Sequence, residues 1–245
     1  MSWMFPRRSG IRAPETREWI LGALHLPVFL FFLNFAILTY FPALGFPLTE
    51  PRNYFFANLL YMTVNFAVML LIFRRTLWQS LREFEGKMLL SVLIGFGMCY
   101  GANLVLTTAY TVLDIMPENY NQEAVNSLLG GYPLAMTLCT VVLAPLAEEC
   151  LFRGVLFAPL ARKCLPAAYA LSMFLFAGMH VFQFLGSMTA ANTILCLSLY
   201  LPASFSLCWV YQKTGNIWAS IFLHMFINFQ SVLASLLRSL MQAFL

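Results

Sequence analysis

The segment APLAEECLFRGVLF (144–157) carries two acids and an arginine in otherwise apolar surroundings. Inside a membrane helix, Glu148, Glu149 and Arg153 would each cost at least ~2.5–3.5 kcal/mol on insertion scales, so their presence calls for a compensating role. Glu149 and Arg153 are four residues apart with the acid first, the favourable order for an i,i+4 pair. Glu148 points ~100° away around the same helix and is left without a local partner. A carboxylate withdrawn from bulk solvent yet reachable by a water molecule is a natural general base. His180, in FLFAGMHVFQF, and His224, in IWASIFLHMFINF, are the candidate partners, and Asn228 shares a helical face with His224.

Plainer readings exist for each group. A Glu–Arg pair can staple a bundle, and a His/Asn pair can simply hydrogen-bond two helices together. Cys150 reads as a small buried hydrophobe rather than a nucleophile. His25 has no polar companion nearby in sequence and reads as an interfacial or packed residue. The decisive feature is coincidence: the acids, the arginine and two of the three histidines fall on three helices of one half of the chain.

The elements that must position these groups are membrane helices. The chain has 245 residues, 61% hydrophobic and only 10% charged, with a mean hydropathy of +0.77. An average soluble domain carries roughly 25% charged residues. Six scattered cysteines without a C-x-x-C pair exclude a disulfide-stapled module, and a net charge of +4 is too small to indicate nucleic-acid binding. Polar stretches at 1–18, 42–53, 74–87 and 114–131 interrupt the apolar background. The runs between them predict an all-α polytopic bundle of about seven, at most eight, transmembrane helices. Their expected positions are 19–41, 54–73, 88–113, 133–158, 165–184, 189–210 and 217–240. Segment 76–87 reads as a short interfacial helix and 114–131 as an external loop.

Lys and Arg alternate in number from loop to loop. Arg7, Arg8, Arg12 and Arg17 precede the first span, and Arg74, Arg75, Arg82 and Lys87 follow the second. Eleven fall on one side and two on the other, which favours a cytoplasmic N-terminus. At ~1.5 Å per residue from the expected helix ends, Glu148 and His180 lie ~20 and ~22 Å deep but His224 only ~12 Å. Convergence of all three therefore requires tilt or a broken helix.

Taken in order, the motifs resemble the CPBP family, which includes CAAX prenyl proteases and bacteriocin-processing proteins, formerly described as Abi-type membrane proteins. The motifs are Glu148-Glu149-Cys150-Leu151-Phe152-Arg153, Phe176-Ala177-Gly178-Met179-His180 and His224-Met225-Phe226-Ile227-Asn228. The stretch YQKTGNIW (211–218) is similar to the family's lead-in, and Phe205 to a weaker intermediate motif. The resemblance covers roughly 130–230. It divides one integrated membrane domain into N-terminal helices and loops (1–129) and a CPBP-like catalytic core (130–245).

The resemblance implies an intramembrane endopeptidase. In it Glu148 activates water, His180 assists, His224 and Asn228 bind the oxyanion, and Glu149 with Arg153 holds the site together. The family has been described both as metalloproteases and as glutamate-dependent without a metal. Zinc is the cofactor the first description implies, with Glu148, His180 and His224 as candidate ligands, although no H-E-x-x-H is present. The expected partners are a membrane-embedded or membrane-associated peptide and the lipid bilayer, in a bacterial plasma membrane. Two rival readings use the same residues. One is a proton-coupled transporter with a Glu/His relay, against which the lack of internal repeats weighs. The other is a non-catalytic immunity or scaffold protein.

Overall fold

The computed structural model describes residues 11–243. Arg7 and Arg8, counted above for orientation, lie outside the described residues. Nine helices, with contiguous segments taken together, make up the described chain. They are α1 (Thr16–Ala43), α2 (Pro51–Ile72), α3 (Arg74–Arg82), α4 (Lys87–Val112), α5 (Tyr120–Gly131), α6 (Pro133–Ala161), α7 (Leu165–Ser187), α8 (Ala190–Thr214) and α9 (Ile217–Ala243). No strand occurs among the described residues. All but α3 and α5 are long and apolar enough to cross a membrane, giving seven candidate spans whose ends fall within about four residues of those expected.

α6 is the most enclosed span: half of its apolar window is buried inside the protein, against 17% for α1 and α4. The exposed apolar residues of the outer helices, among them Phe31, Phe35, Leu93 and Val105, suit acyl chains rather than water. Around α6 the core packs Phe152, Phe157, Phe176, Trp209 and Tyr211. The N-terminal helices take part in this core. α2 packs along the Ala144–Glu149 stretch of α6, and Trp19 of α1 donates to the Val155 carbonyl at 3.0 Å.

Two short connections fix the helices that matter most. α8 ends at Gly215, whose positive φ of 66° suits a residue without Cβ. Asn216 then caps α9 by accepting from Trp218 N (2.9 Å) and donates its amide to Ser80 O of α3 at 2.6 Å. Trp218 Nε1 also reaches α3, at Leu77 O (2.7 Å). At its other end α3 is capped by the buried Glu18 carboxylate, which accepts from Arg75 N (3.0 Å), Thr76 N (3.2 Å) and the Thr76 hydroxyl.

Three local expectations change. The 114–131 segment is not simply a loop, because Asn119 caps the helix α5 by accepting from Gln122 N (3.1 Å). His25 is not without a polar partner: its Nε2 lies 2.9 Å from Oδ1 of the buried Asn65 on α2. α6 is not a regular α-helix, as it widens into π-turns at Cys139–Leu143 and Cys150–Phe157.

Candidate active site

The site grows from that irregularity in α6. Pro145 and Pro159 carry no N–H, and each ring presses on the carbonyl four residues earlier, at Val141 and Val155. Both of those residues lie in the π-widened stretches, where the looser turn makes room. Wide turns also hold more residues per unit length, which shortens the path from Ala161 to Glu148. The broken helix demanded by the depth mismatch is thus present, and Glu148 meets His224.

Glu149 is the hub. It is fully buried, with Arg153 Nε 3.2 Å from its Oε2, the Ser220 hydroxyl donating to Oε2, and His224 Nδ1 2.9 Å from its Oε1. A carboxylate facing Nδ1 requires that nitrogen to carry the proton, so the other ring nitrogen is left to face the rest of the site. That nitrogen, Nε2, lies 3.7 Å from Glu148 Oε2. The separation exceeds a hydrogen bond. Glu148 Oε2 is itself buried and makes no hydrogen bond among the described residues.

Arg153 is held from the opposite side. Its Nη2 donates to Ser204 O (3.1 Å) and Ser204 Oγ (3.3 Å), and its guanidinium lies 4.8 Å over the Phe176 ring. Phe176 packs at 5.0 Å against His180 and at 5.5 Å against His224, so it touches both imidazoles as well as supporting the cation. His180 has its Nδ1 2.9 Å from the Phe176 carbonyl and stacks on Tyr200 at 4.4 Å. No hydrogen bond or ion pair joins His180 to Glu148 among the described residues. Asn228 donates Nδ2 to Thr140 O at 2.8 Å, which ties α9 to the first widened turn of α6 and leaves one amide N–H unused. Cys150 is fully buried, as a small hydrophobe would be.

Glu148, Glu149, Arg153 and His224 therefore form one contiguous cluster, with His180 packed on Phe176 and Asn228 one turn along α9. Ser220, Ser204 and Tyr200 belong to the surroundings and were not singled out from the sequence. Ser220 had a signal, since it stands four residues before His224 on the same face. Ser204 adjoins Phe205 of the weaker motif. Among the described residues no three His, Cys, Asp or Glu side chains gather closely enough to hold a metal ion. Glu148 and His224 converge but His180 does not complete a donor set with them, so the arrangement does not fit zinc.

The sequence motifs and this cluster occupy the same stretch of chain. Residues 130–230 match the family described as type II CAAX prenyl endopeptidase, Rce1-like. The resemblance read from the three motifs is thereby borne out, and every residue of the cluster lies within the Rce1-like segment. The chain is also 28% identical over 166 residues to the "Putative membrane peptidase YdiL" of Bacillus subtilis (strain 168), covering 66% of this chain and 64% of that protein. It is 28% identical over 127 residues to the UPF0177 protein YxdF of Lactococcus lactis subsp. lactis (strain IL1403), covering 51% of this chain and 65% of that one. The chain thus spans just under two thirds of the length of either relative. No solved structure matches it. Seven apolar spans make this an integral membrane protein, and its 130–230 segment is similar to the Rce1-like family.

Proposed function

We propose that the protein is an intramembrane endopeptidase that cleaves a membrane-associated peptide with water activated by Glu148. The observation that carries this reading is the buried Glu148 oxygen without a hydrogen bond, facing across 3.7 Å a histidine whose other nitrogen is already committed to Glu149. A gap of that size suits a bridging water better than a direct bond. The Rce1-like match and the peptidase relative favour proteolysis over transport or scaffolding.

The steps follow from the groups. Glu148 takes a proton from the water as its oxygen bonds to the scissile carbonyl carbon. The same proton passes to the departing amine as the C–N bond breaks, leaving Glu148 ionised and a carboxylic acid on the product, whose remaining proton then passes to the freed amine. Glu149 and Arg153 cancel each other's charge. The unused N–H of Asn228, and His224 through Nε2 when that nitrogen carries a proton, serve as donors to the oxyanion. His180, fixed by its backbone bond and its stack on Tyr200, borders the reacting region and assists from there. No step is routed through a metal. The N-terminus is cytoplasmic in this reading, on the strength of the lysine and arginine count.

The experiment is to compare membrane peptides released in cells carrying the native chain or Glu148→Gln. Loss of general-base catalysis costs about 10²–10⁴-fold, so the Gln variant leaves its substrates uncut while folding normally. Full cleavage by Glu148→Gln overturns the mechanism.

A further inference from the structure

Around α3 three basic residues are held in ion pairs. Arg12 pairs with Glu83, Arg75 with Glu15 (3.1 Å) and Lys87 with Glu85 (2.5 Å). Arg74 and Arg82, at the two ends of α3, have no partner among the described residues. With Trp78 they stand at i, i+4 and i+8, so all three lie along one face of the helix. That face points outward: both arginines are exposed and Trp78 is 61% exposed, with Leu81 beside it at 42%. The opposite face, Leu77 and Ser80, is buried.

Beside Arg82 opens a cavity of about 480 Å³, lined by Arg82, Arg12, Glu83, Glu85, Gly215 and Asn216 among others. Since Arg12 and Glu83 neutralise each other and Glu85 is neutralised by Lys87, Arg82 gives this cavity its one unbalanced charge. The cavity sits where α3 meets the α8–α9 turn, at the level where the spans emerge from the hydrocarbon. A cation and an indole ring facing outward at that level suit a phosphate and the glycerol–acyl region next to it. A free anion would find Arg82 but leave Trp78 and Leu81 without an apolar partner. The platform is rigid, because Glu18 caps one end of α3 while Asn216 and Trp218 bond to its Ser80 and Leu77 carbonyls.

We propose that the outward face of α3 and the cavity beside it bind an anionic phospholipid, with its phosphate on Arg82 and its glycerol–acyl region on Trp78. Arg74, about 12 Å away along the helix at 1.5 Å per residue, attracts a second headgroup. This site is separate from the Glu148 cluster and does not depend on proteolysis.

The test uses the whole protein in phosphatidylcholine nanodiscs containing a minority of phosphatidylglycerol, with retained lipids counted by native mass spectrometry after gentle extraction. One basic residue near an anionic surface contributes about fivefold in affinity. Arg82→Gln therefore weakens phosphatidylglycerol retention about fivefold, Arg74→Gln/Arg82→Gln about 25-fold, and Trp78→Ala also reduces it. Arg162→Gln/Lys163→Gln removes two exposed charges from the same membrane side and leaves retention unchanged. Equal loss in that control overturns the proposal in favour of non-specific surface attraction. So does native retention by Arg82→Gln, or full displacement of the lipid by inorganic phosphate. The variants lie on an exposed face, and an unchanged unfolding midpoint confirms that each is folded.

Discussion

Replacing Arg153 by methionine tests the electrostatic account most directly. Arg153 and Glu149 are both wholly buried, and the guanidinium is the one full positive charge touching that carboxylate. Methionine fills much of the space without the charge. It strands Glu149 with the Ser220 hydroxyl and the His224 ring, and it removes the bonds to Ser204 and the contact over Phe176. Breaking a buried ion pair by removing one member costs about 3–5 kcal/mol. The cation–π contact adds about 1–2 kcal/mol in a desolvated setting, so the expected loss is about 4–7 kcal/mol. Reversible unfolding in mixed detergent micelles, followed by circular dichroism, measures it. The Arg153→Met/Glu149→Leu double variant recovers most of the loss, because removing both charges leaves nothing uncompensated. A single variant within 1 kcal/mol of native, or a double variant as unstable as the two single variants added together, refutes the pairing argument.

Ser220→Ala removes one hydrogen bond to Glu149 and loosens its contact with His224. The expected cost is about 1–3 kcal/mol in the same unfolding assay, with a smaller loss of cleavage than Glu148→Gln produces. Asn216→Ala loses both the α9 cap and the bond to Ser80 O, and destabilises by about 1–2 kcal/mol; limited proteolysis finds the α8–α9 turn newly accessible. Gly22→Ala places a methyl group 2.6 Å from Val155 Cγ2 and 2.9 Å from the Phe73 ring, overpacking the α1–α6 contact at a cost of about 1–3 kcal/mol. Gly22→Ala/Val155→Ala relieves much of that cost.

The spans were legible because membrane insertion demands long apolar runs, and such runs survive in one dimension. The Glu149–Arg153 pair was legible for a similar reason, since its partners lie four residues apart on one helix. What crosses between helices was harder to read. Ser204 and Ser220 are ordinary serines until α8 and α9 are laid against α6, and nothing in sequence spacing says which carbonyl or carboxylate each will meet. His25 looked solitary because its partner, Asn65, is forty residues away on the next helix. α5 was missed because it is short and rich in Asn, Gln and Ser, so its pattern resembles that of a loop. Depth arithmetic erred in an informative way. It paired Glu148 with His180 and set His224 apart, because it assumed a regular α-helical rise through the π-turn at Cys150–Phe157.

The two π-turns of α6 also explain why the first half of the chain, outside the Rce1-like segment, bears on the site. A widened helix has lost the regular bonding that makes an α-helix self-supporting, and in lipid no water replaces it. The surrounding helices have to supply the stiffness. α1 does so through Trp19, which donates to the carbonyl of Val155 within the second π-turn, while the Phe73 ring packs so close to Gly154 that it would lie 3.0 Å from a Cβ there. α9 does the same at the first π-turn through Asn228 and the carbonyl of Thr140. The carboxylates thus stand on the short α-helical stretch Ala144–Glu149, between two loosened turns that are each braced from outside. That arrangement allows Glu148 to point away from Glu149 without the helix collapsing around either, and it makes the N-terminal helices a mechanical part of the site although they contribute none of its carboxylates.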